Sequence, residues 1–352
     1  MVARASFLSL LLLLVCAPSG FAQQIRIEVL SRFHPRQIEL TAWRTEAIVV
    51  HAGEKSFVLE PGARAKIGIE DGALAIETDG GLLRARAFEA AGRIGGADFL
   101  LAVPGIAARH YRGSLSARVK EGELALVVAM ELETAVASAV AAESAPGTPP
   151  EALMALAVVA RSYYAAAKSR HRDYGFCDLT HCQVLRGAPA PESPAARAAA
   201  GTRGLVLAYN GKPFAAMFTR SCGGRTRTPA DTGMPANGYP YFPVICVYCH
   251  ASPYVWTRKV SREDAALLLA RGEAGRLTVD RRLGWNAVPS NTFTTRDEGA
   301  EVLLEGKGQG HGIGLCQRGA AAMAAGGAGF RRILSHYFPN TQVVPLVPAP
   351  QR

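Results

Sequence analysis

The chain has 352 residues, 49% of them hydrophobic, with 39 Lys+Arg against 29 Asp+Glu and 7 Cys. Those figures exclude a disordered tail, a collagen-like repeat and a small disulfide-stapled scaffold, and they leave room for one or two globular domains. The net charge of +10 comes without a long basic run, so no localised nucleic-acid footprint exists and no nucleic-acid partner is expected; a diffuse basic surface suits an acidic polymer or envelope loosely, and serves solubility as well.

The first 22 residues carry Arg4, an apolar run from Phe7 to Val15, and the small residues Gly20 and Ala22 around Phe21, the pattern of an export signal. Its apolar core is shorter than the about 20 residues of a bilayer span, and no later segment supplies one. The expectation is an exported protein, soluble in the periplasm or cell envelope after cleavage behind Ala22. Cys16 would suggest a lipoprotein, but Val15 is bulkier than the small residue expected before a lipidated cysteine.

From Ile25 to about Val127 apolar and polar residues alternate, as in Ile25–Val29, Ala47–Val50, Lys66–Glu70 and Ala73–Glu77. Period two with Gly breaks predicts short strands, so residues 23–110 are read as a β-rich N-terminal segment. Between Glu131 and Arg170 the composition turns to Ala-rich helix, interrupted by Ala145-Pro-Gly-Thr-Pro-Pro150, which cannot continue a helix. The second helix is predicted to start at Thr148 as cap, with Leu153, Leu156, Ala157, Ala160 and Tyr164 on its apolar side. Beyond Gly201 short strands return, at Gly204–Tyr209 and Phe214–Phe218, followed by Gly-rich turns and a helix from Gln317 to Ala325. The fold class is α+β: a β-rich N-terminal part and a mixed α/β core holding two Ala-rich helices and several short strands.

Four groups of residues could carry chemistry. Glu143 closes an apolar helix, where the negative end of the helix dipole and desolvation both raise a carboxyl pKa, as a general acid needs; an exposed helix-end residue is the plainer alternative. Glu151 is the rival acid, but it sits in a first helical turn, where the dipole stabilises the anion. His171, Cys177, His181 and Cys182 present zinc-type ligands in one short loop, with His171, Cys177 and Cys182 the favoured set; a Cys177–Cys182 disulfide is the competing reading. Cys246-Val-Tyr-Cys249-His250 has the residue types of a c-type haem site, against a disulfide or a second thiolate cluster with Cys222. Two Gly-rich turns, around Ser221-Cys-Gly-Gly-Arg-Thr226 and Gly306–Gly314, are no phosphate loops. Their glycines could let backbone approach a ligand bound by Ser221 and His311, or simply shape turns.

In order along the chain, Tyr111-Arg-Gly-Ser-Leu, Val140-Ala-Ala-Glu143, Glu151-Ala-Leu-Met-Ala-Leu-Ala-Val-Val-Ala-Arg161-Ser-Tyr163, Thr180-His-Cys-Gln-Val184, Ser221-Cys-Gly-Gly-Arg-Thr226, Ser252-Pro with Trp256, and Gly308-Gln-Gly-His-Gly-Ile-Gly314 with Gln317 and Gly319 resemble the stage II sporulation protein D family, which includes the amidase-enhancer, LytB-like proteins. The likeness spans roughly Tyr111 to Gln342 and delimits a domain at residues 111–345. It implies a lytic transglycosylase that cuts peptidoglycan between N-acetylmuramic acid and N-acetylglucosamine without water, preferring glycan strands stripped of stem peptides. It places the essential glutamate on Glu143 and a zinc-bearing loop on His171, Cys177, His181 and Cys182; in the mechanism expected here, Arg161, Tyr163, Ser221 and His311 position the sugar. The implied partners are peptidoglycan glycan strands, or a peptidoglycan amidase that a non-catalytic, glycan-binding relative would enhance. Ser144 and Ala145 stand where the family has Met and Pro, Thr148-Pro-Pro replaces Ser-Trp-Pro, and Cys222 and Cys316 fall where serine is commoner.

Overall fold

The computed structural model describes residues 23–43, 46–167, 171–180 and 182–347. The expected export signal and His181 lie outside them. No helix among the described residues is long and apolar enough to cross a membrane.

The described residues begin with eleven strands, with one 3-10 turn at Ser31–Phe33 among them: β1 (Gln24–Glu28), β2 (Gln37–Ala42), β3 (Ile48–Ala52), β4 (Lys55–Leu59), β5 (Arg64–Glu70), β6 (Ala73–Thr78), β7 (Gly81–Ala85), β8 (Ala87–Gly92), β9 (Ala97–Val103), β10 (Ala107–Lys120) and β11 (Glu123–Glu131). They form one sheet in the order β1-β11-β10-β9-β2-β5-β6-β7, with β8 on β10 and β3 bridging β8 to β4. Every one of these pairings is antiparallel. Alternation does what the sequence predicts: along β9 every second side chain is buried, so one face of the pleat closes on the core. The long strand β10 changes partner near Gly113. Residues up to Gly113 pair with β9 and those from Ser114 with β11. A side chain at Gly113, whose φ is 149°, would strike the Ala129 carbonyl, so only glycine permits the crossing. Residue 110, the predicted end of the N-terminal segment, lies inside β10, and one buried core runs from Ile25 to Phe338.

Two helices follow, α1 (Leu132–Glu143) and α2 (Pro150–Ala166). From Ala155 to Tyr164 every residue of α2 is buried, which marks it as the central helix of the core. Thr148 is not its cap. Pro149 holds that place with extended dihedrals, and the Thr148 hydroxyl instead donates to the Ala145 carbonyl at 2.7 Å. Each residue before a proline is pushed out of the helical region, so with two prolines in a row the helix cannot start before Pro150.

The remainder comprises β12 (Phe176–Cys177), α3 (Pro194–Gly201), β13 (Leu205–Tyr209), β14 (Lys212–Pro213), β15 (Phe218–Thr219), α4 (Val247–Ala251), β16 (Val255–Ser261), α5 (Arg262–Leu283), β17 (Phe293–Glu298), β18 (Glu301–Lys307), β19 (Leu315–Cys316), α6 (Gln317–Ala325), α7 (Phe330–Tyr337) and β20 (Gln342–Pro345). Strand β12 joins the large sheet parallel to β1. The helix predicted from Gln317 to Ala325 is α6 with the same limits. The predicted strand Phe214–Phe218 is not formed: Phe214 to Met217 are buried without alternation, and only Phe218 and Thr219 enter a ladder, beside β19. Strands β16, β18 and β17 make a separate antiparallel sheet that packs on α5 around Trp256, Val260, Leu268, Val279 and Leu304. Helix α5 starts on a Ser261 cap, whose Oγ accepts from the Asp264 N–H at 3.0 Å, and kinks at Gly272.

Candidate active site

A cleft of about 340 Å³ lies between the α1–α2 side of the main body and α5, with the loop before β19 as its third wall. Glu143, the last residue of α1, lines it. Its Oε1 accepts from the Val184 N–H at 3.1 Å, and its backbone carbonyl accepts from the Gln317 side chain, also at 3.1 Å. Burial raises the Glu143 pKa; the Val184 N–H and the charges of Arg186 and Arg220 oppose the rise without cancelling it. The carboxyl is therefore a desolvated cleft group and not an exposed helix end, and its proton is held more tightly than in water.

His311 lines the same cleft. Its Nδ1 accepts from the Ile313 N–H at 3.0 Å, which leaves Nε2 to carry the proton of the neutral ring. Burial lowers its pKa, Arg276 adds to that, and Glu273 and a hydrogen bond to the Phe218 backbone pull the other way. Helix α5 adds a buried ion-pair group. Arg276 forks onto Glu273 at 2.8 and 2.7 Å and reaches Asp280 at 2.8 Å. Burial alone would raise the Glu273 pKa, but the Arg276 guanidinium outweighs it and holds the carboxylate ionised. A carboxylate forked in this way is already committed to its partner. Tyr163, on the last turns of α2, completes the wall.

Three residues expected here are elsewhere. Arg161 is fully buried: it forks onto Glu133 at 2.8 and 2.6 Å and donates to the carbonyls of Ala199 and Leu205, both at 3.1 Å. It ties α1, α2 and α3 together and does not face sugar. Ser221 is buried, its Oγ 3.6 Å from the Cys249 sulfur; its backbone pairs with Gln309 in both directions, at 3.0 and 2.8 Å. The two Gly-rich turns thus pack on each other. At Gly308 a Cβ would sit 2.7 Å from the Ser221 carbonyl, so glycine there serves contact between chain segments, not contact with a ligand. Glu151 turns away from the cleft and accepts from the Phe330 N–H at 2.7 Å, capping α7.

The sequence passed over Arg220, Gln317, Glu273 and Arg276, all of which line the cleft. Arg220 stands one residue before the noted Ser221 and Gln317 sits inside the quoted pattern. The α5 pair was detectable through its start signal, Ser261 three residues ahead of Asp264.

His171, Cys177 and Cys182 come together with their ligand atoms within 4.8 Å of one another, the Cys182 sulfur 3.5 Å from His171 Nε2. Cys182 also lines the cleft. A second group, Cys222, Cys246, Cys249 and Cys316, is equally close-set and wholly buried. Both groups could hold a metal ion. The haem pattern is not realised: Cys246 and Cys249 turn inward to the other cysteines, while His250 is exposed.

Fold and site together define an α+β protein with a half-buried carboxyl in a cleft and a thiol-rich loop at its edge. Residues 120–209, which hold α1, α2, Glu143 and that loop, match the family model described as SpoIID, Stage II sporulation protein. Stage II sporulation protein D of Bacillus amyloliquefaciens is 27% identical over 258 residues, 60% of this chain and 74% of that protein. An uncharacterized protein of Brachyspira hyodysenteriae is 28% identical over 268 residues, 67% of this chain and 72% of the relative. The amidase enhancer of Bacillus subtilis shares 37% identity over 59 residues, only 17% of this chain and 8% of its own length. The chain thus has a SpoIID family-model match over residues 120–209 and is homologous to stage II sporulation protein D and, over a short stretch, to an amidase enhancer.

Proposed function

We propose that this protein is an exported peptidoglycan lytic transglycosylase, acting on peptide-stripped glycan strands in cell-wall remodelling or sporulation, with Glu143 as its acid and then its base. The observation that carries this reading is the Glu143 carboxyl itself, lining the cleft with a raised pKa and held by the Val184 N–H. Protonated, it donates to the glycosidic oxygen as that carbon–oxygen bond breaks and positive charge develops on muramic acid. The resulting carboxylate takes the proton of the same sugar's C6 hydroxyl, whose oxygen closes the anhydro ring. One carboxyl shuttling one proton suffices, because the attack is intramolecular and no water is consumed. Glu273, paired with Arg276, is not needed as a nucleophile. Tyr163, His311, Arg220 and Gln317 supply walls and donors that orient the strand.

The thiol-rich loop fits zinc. A tetrahedral ion with bonds of about 2.3 Å to sulfur and about 2.0 Å to nitrogen separates two such ligands by roughly 3.5 Å, and the Cys182–His171 distance is 3.5 Å. Bound there, zinc would supply structural rigidity. His171, Cys177 and Cys182 would then fix the loop that carries Val184 to the carboxyl.

Digestion of peptide-free glycan by the purified protein, followed by mass analysis, tests the proposal. Anhydromuramic ends are expected from the wild type and none from Glu143→Gln, which keeps the shape and loses the proton transfer. Intact polymer from wild-type protein that still binds the strand would refute catalysis and leave a glycan-binding enhancer of an amidase.

A further inference from the structure

Away from the cleft, four cysteines from three separate stretches of chain meet in the core. Cys222 lies in the turn after β15, Cys246 and Cys249 lie at the start of α4, and Cys316 ends β19 and caps α6. Their exposures are 2%, 2%, 0% and 0%, and all four sulfurs fall within 4.8 Å of one another. We propose that Cys222, Cys246, Cys249 and Cys316 bind one zinc ion as a tetrathiolate site, separate from His171, Cys177 and Cys182.

Three observations carry it. The first is size. Four sulfurs at about 2.3 Å from a tetrahedral zinc stand roughly 3.8 Å apart, and this cage, with Cys249 and Cys316 at 3.5 Å, matches that spacing. A four-iron cluster would need a wider cage, since its own iron–sulfur core separates the cysteines. Disulfides would draw the sulfurs in pairs to about 2.05 Å, and none of these four is so joined.

The second is the ring of donors. The N–H groups of Cys222 and Gly319 both point at the Cys316 sulfur, at 3.4 Å. The Tyr337 hydroxyl lies 3.3 Å from Cys246, and the Ser221 hydroxyl 3.6 Å from Cys249. Donors aimed at sulfur offset the net negative charge of a tetrathiolate zinc centre, and such outer partners usually accompany the ligands of a metal. Helix α6 also presents its N-terminus to Cys316, which favours a thiolate there.

The third is the alternative. Without a cation burial would leave four neutral thiols, and apolar thiols need neither this close convergence nor donors turned to sulfur. The surroundings are also built to the cage: a Cβ on Gly319 would come within 2.5 Å of the Cys246 sulfur. The ion would clamp together the turn that carries Arg220 and the helix that begins with Gln317, both of which line the cleft.

Metal analysis of the full-length protein tests the site. The variant Cys177→Ala/Cys182→Ala should retain one zinc per chain, and cobalt exchange should give the intense visible bands of a tetrahedral four-thiolate centre. Adding Cys246→Ser/Cys249→Ser should abolish both. Because such variants can fail to fold, alkylation of the wild-type protein provides an independent readout. Cys222, Cys246, Cys249 and Cys316 should be protected until the metal is stripped, and then all four should label without reduction. A metal-free Cys177→Ala/Cys182→Ala protein that is folded, iron in place of zinc, or a mapped disulfide among the four would overturn the proposal.

Discussion

Arg161 separates a structural cation from a sugar-binding one, and Arg161→Met makes the test sharp because it keeps length and apolar bulk while removing every donor. The variant loses the fork onto Glu133 and both bonds to the Ala199 and Leu205 carbonyls. Breaking a buried pair by deleting one partner costs about 3–5 kcal/mol, because the other charge stays behind unpaired. Here Glu133 is 18% exposed and keeps the Gly204 N–H at 3.2 Å, so water and that N–H relieve part of the penalty and the loss should fall near ~3 kcal/mol. Out of a total of roughly 5–15 kcal/mol for an ordinary domain, that is a large fraction. Urea unfolding should show a midpoint shifted down with the slope unchanged, and Arg161→Lys should recover only part of it, since an ammonium cannot fork. The double variant Glu133→Leu/Arg161→Met should be less unstable than the sum of its parts, the sign of direct coupling. Glu133 and Glu143 sit near opposite ends of α1, so turnover per folded molecule should change little. An unchanged midpoint with lost turnover would mean that Arg161 touches substrate after all.

Glu151→Ala should cost about 0.5–2 kcal/mol, the value of a lost helix cap, and leave turnover per folded molecule intact; a selective loss of turnover in folded protein would return Glu151 to the chemistry. Gly319→Ala should destabilise by about 1–3 kcal/mol through overpacking against Tyr337 and Cys246, and should speed zinc loss to a chelator. Glu143→Gln should change the pH dependence of stability. The half-buried carboxyl has a folded pKa above its ordinary value of 4.5, so as pH rises from there to the raised value the unfolded chain ionises first and wild-type stability falls. The glutamine variant has no proton to lose, so it should gain on wild type across that window and hold the gain above it. Parallel stability curves for the two proteins would show that Glu143 is solvated.

Local rules reached as far as local causes did. Alternation located the strands because one face of each is buried, and the run of alanines located α1 and α2 because small side chains let helices pack closely. Glu143 was legible for a related reason: a carboxyl closing an apolar helix has few ways to avoid desolvation, and the cleft supplies that desolvation without contradicting the helix. Arg161 was misjudged because its environment is assembled from Glu133, Ala199 and Leu205, none of them near it in sequence; an arginine in an apolar helix reads as surface until such partners are known. Helix α5 escaped for the opposite reason. Its polar and apolar residues are about equal in number and Gly272 breaks it, so the apolar stripe that announces a helix is weak, while its buried face mixes Leu268 and Val279 with ions that satisfy one another. The four-cysteine cage combines both difficulties. Its cysteines come from three segments, and Cys246 and Cys249 alone suit a disulfide, a haem or a metal; only the folded chain brings Cys222 and Cys316 to them and leaves His250 outside.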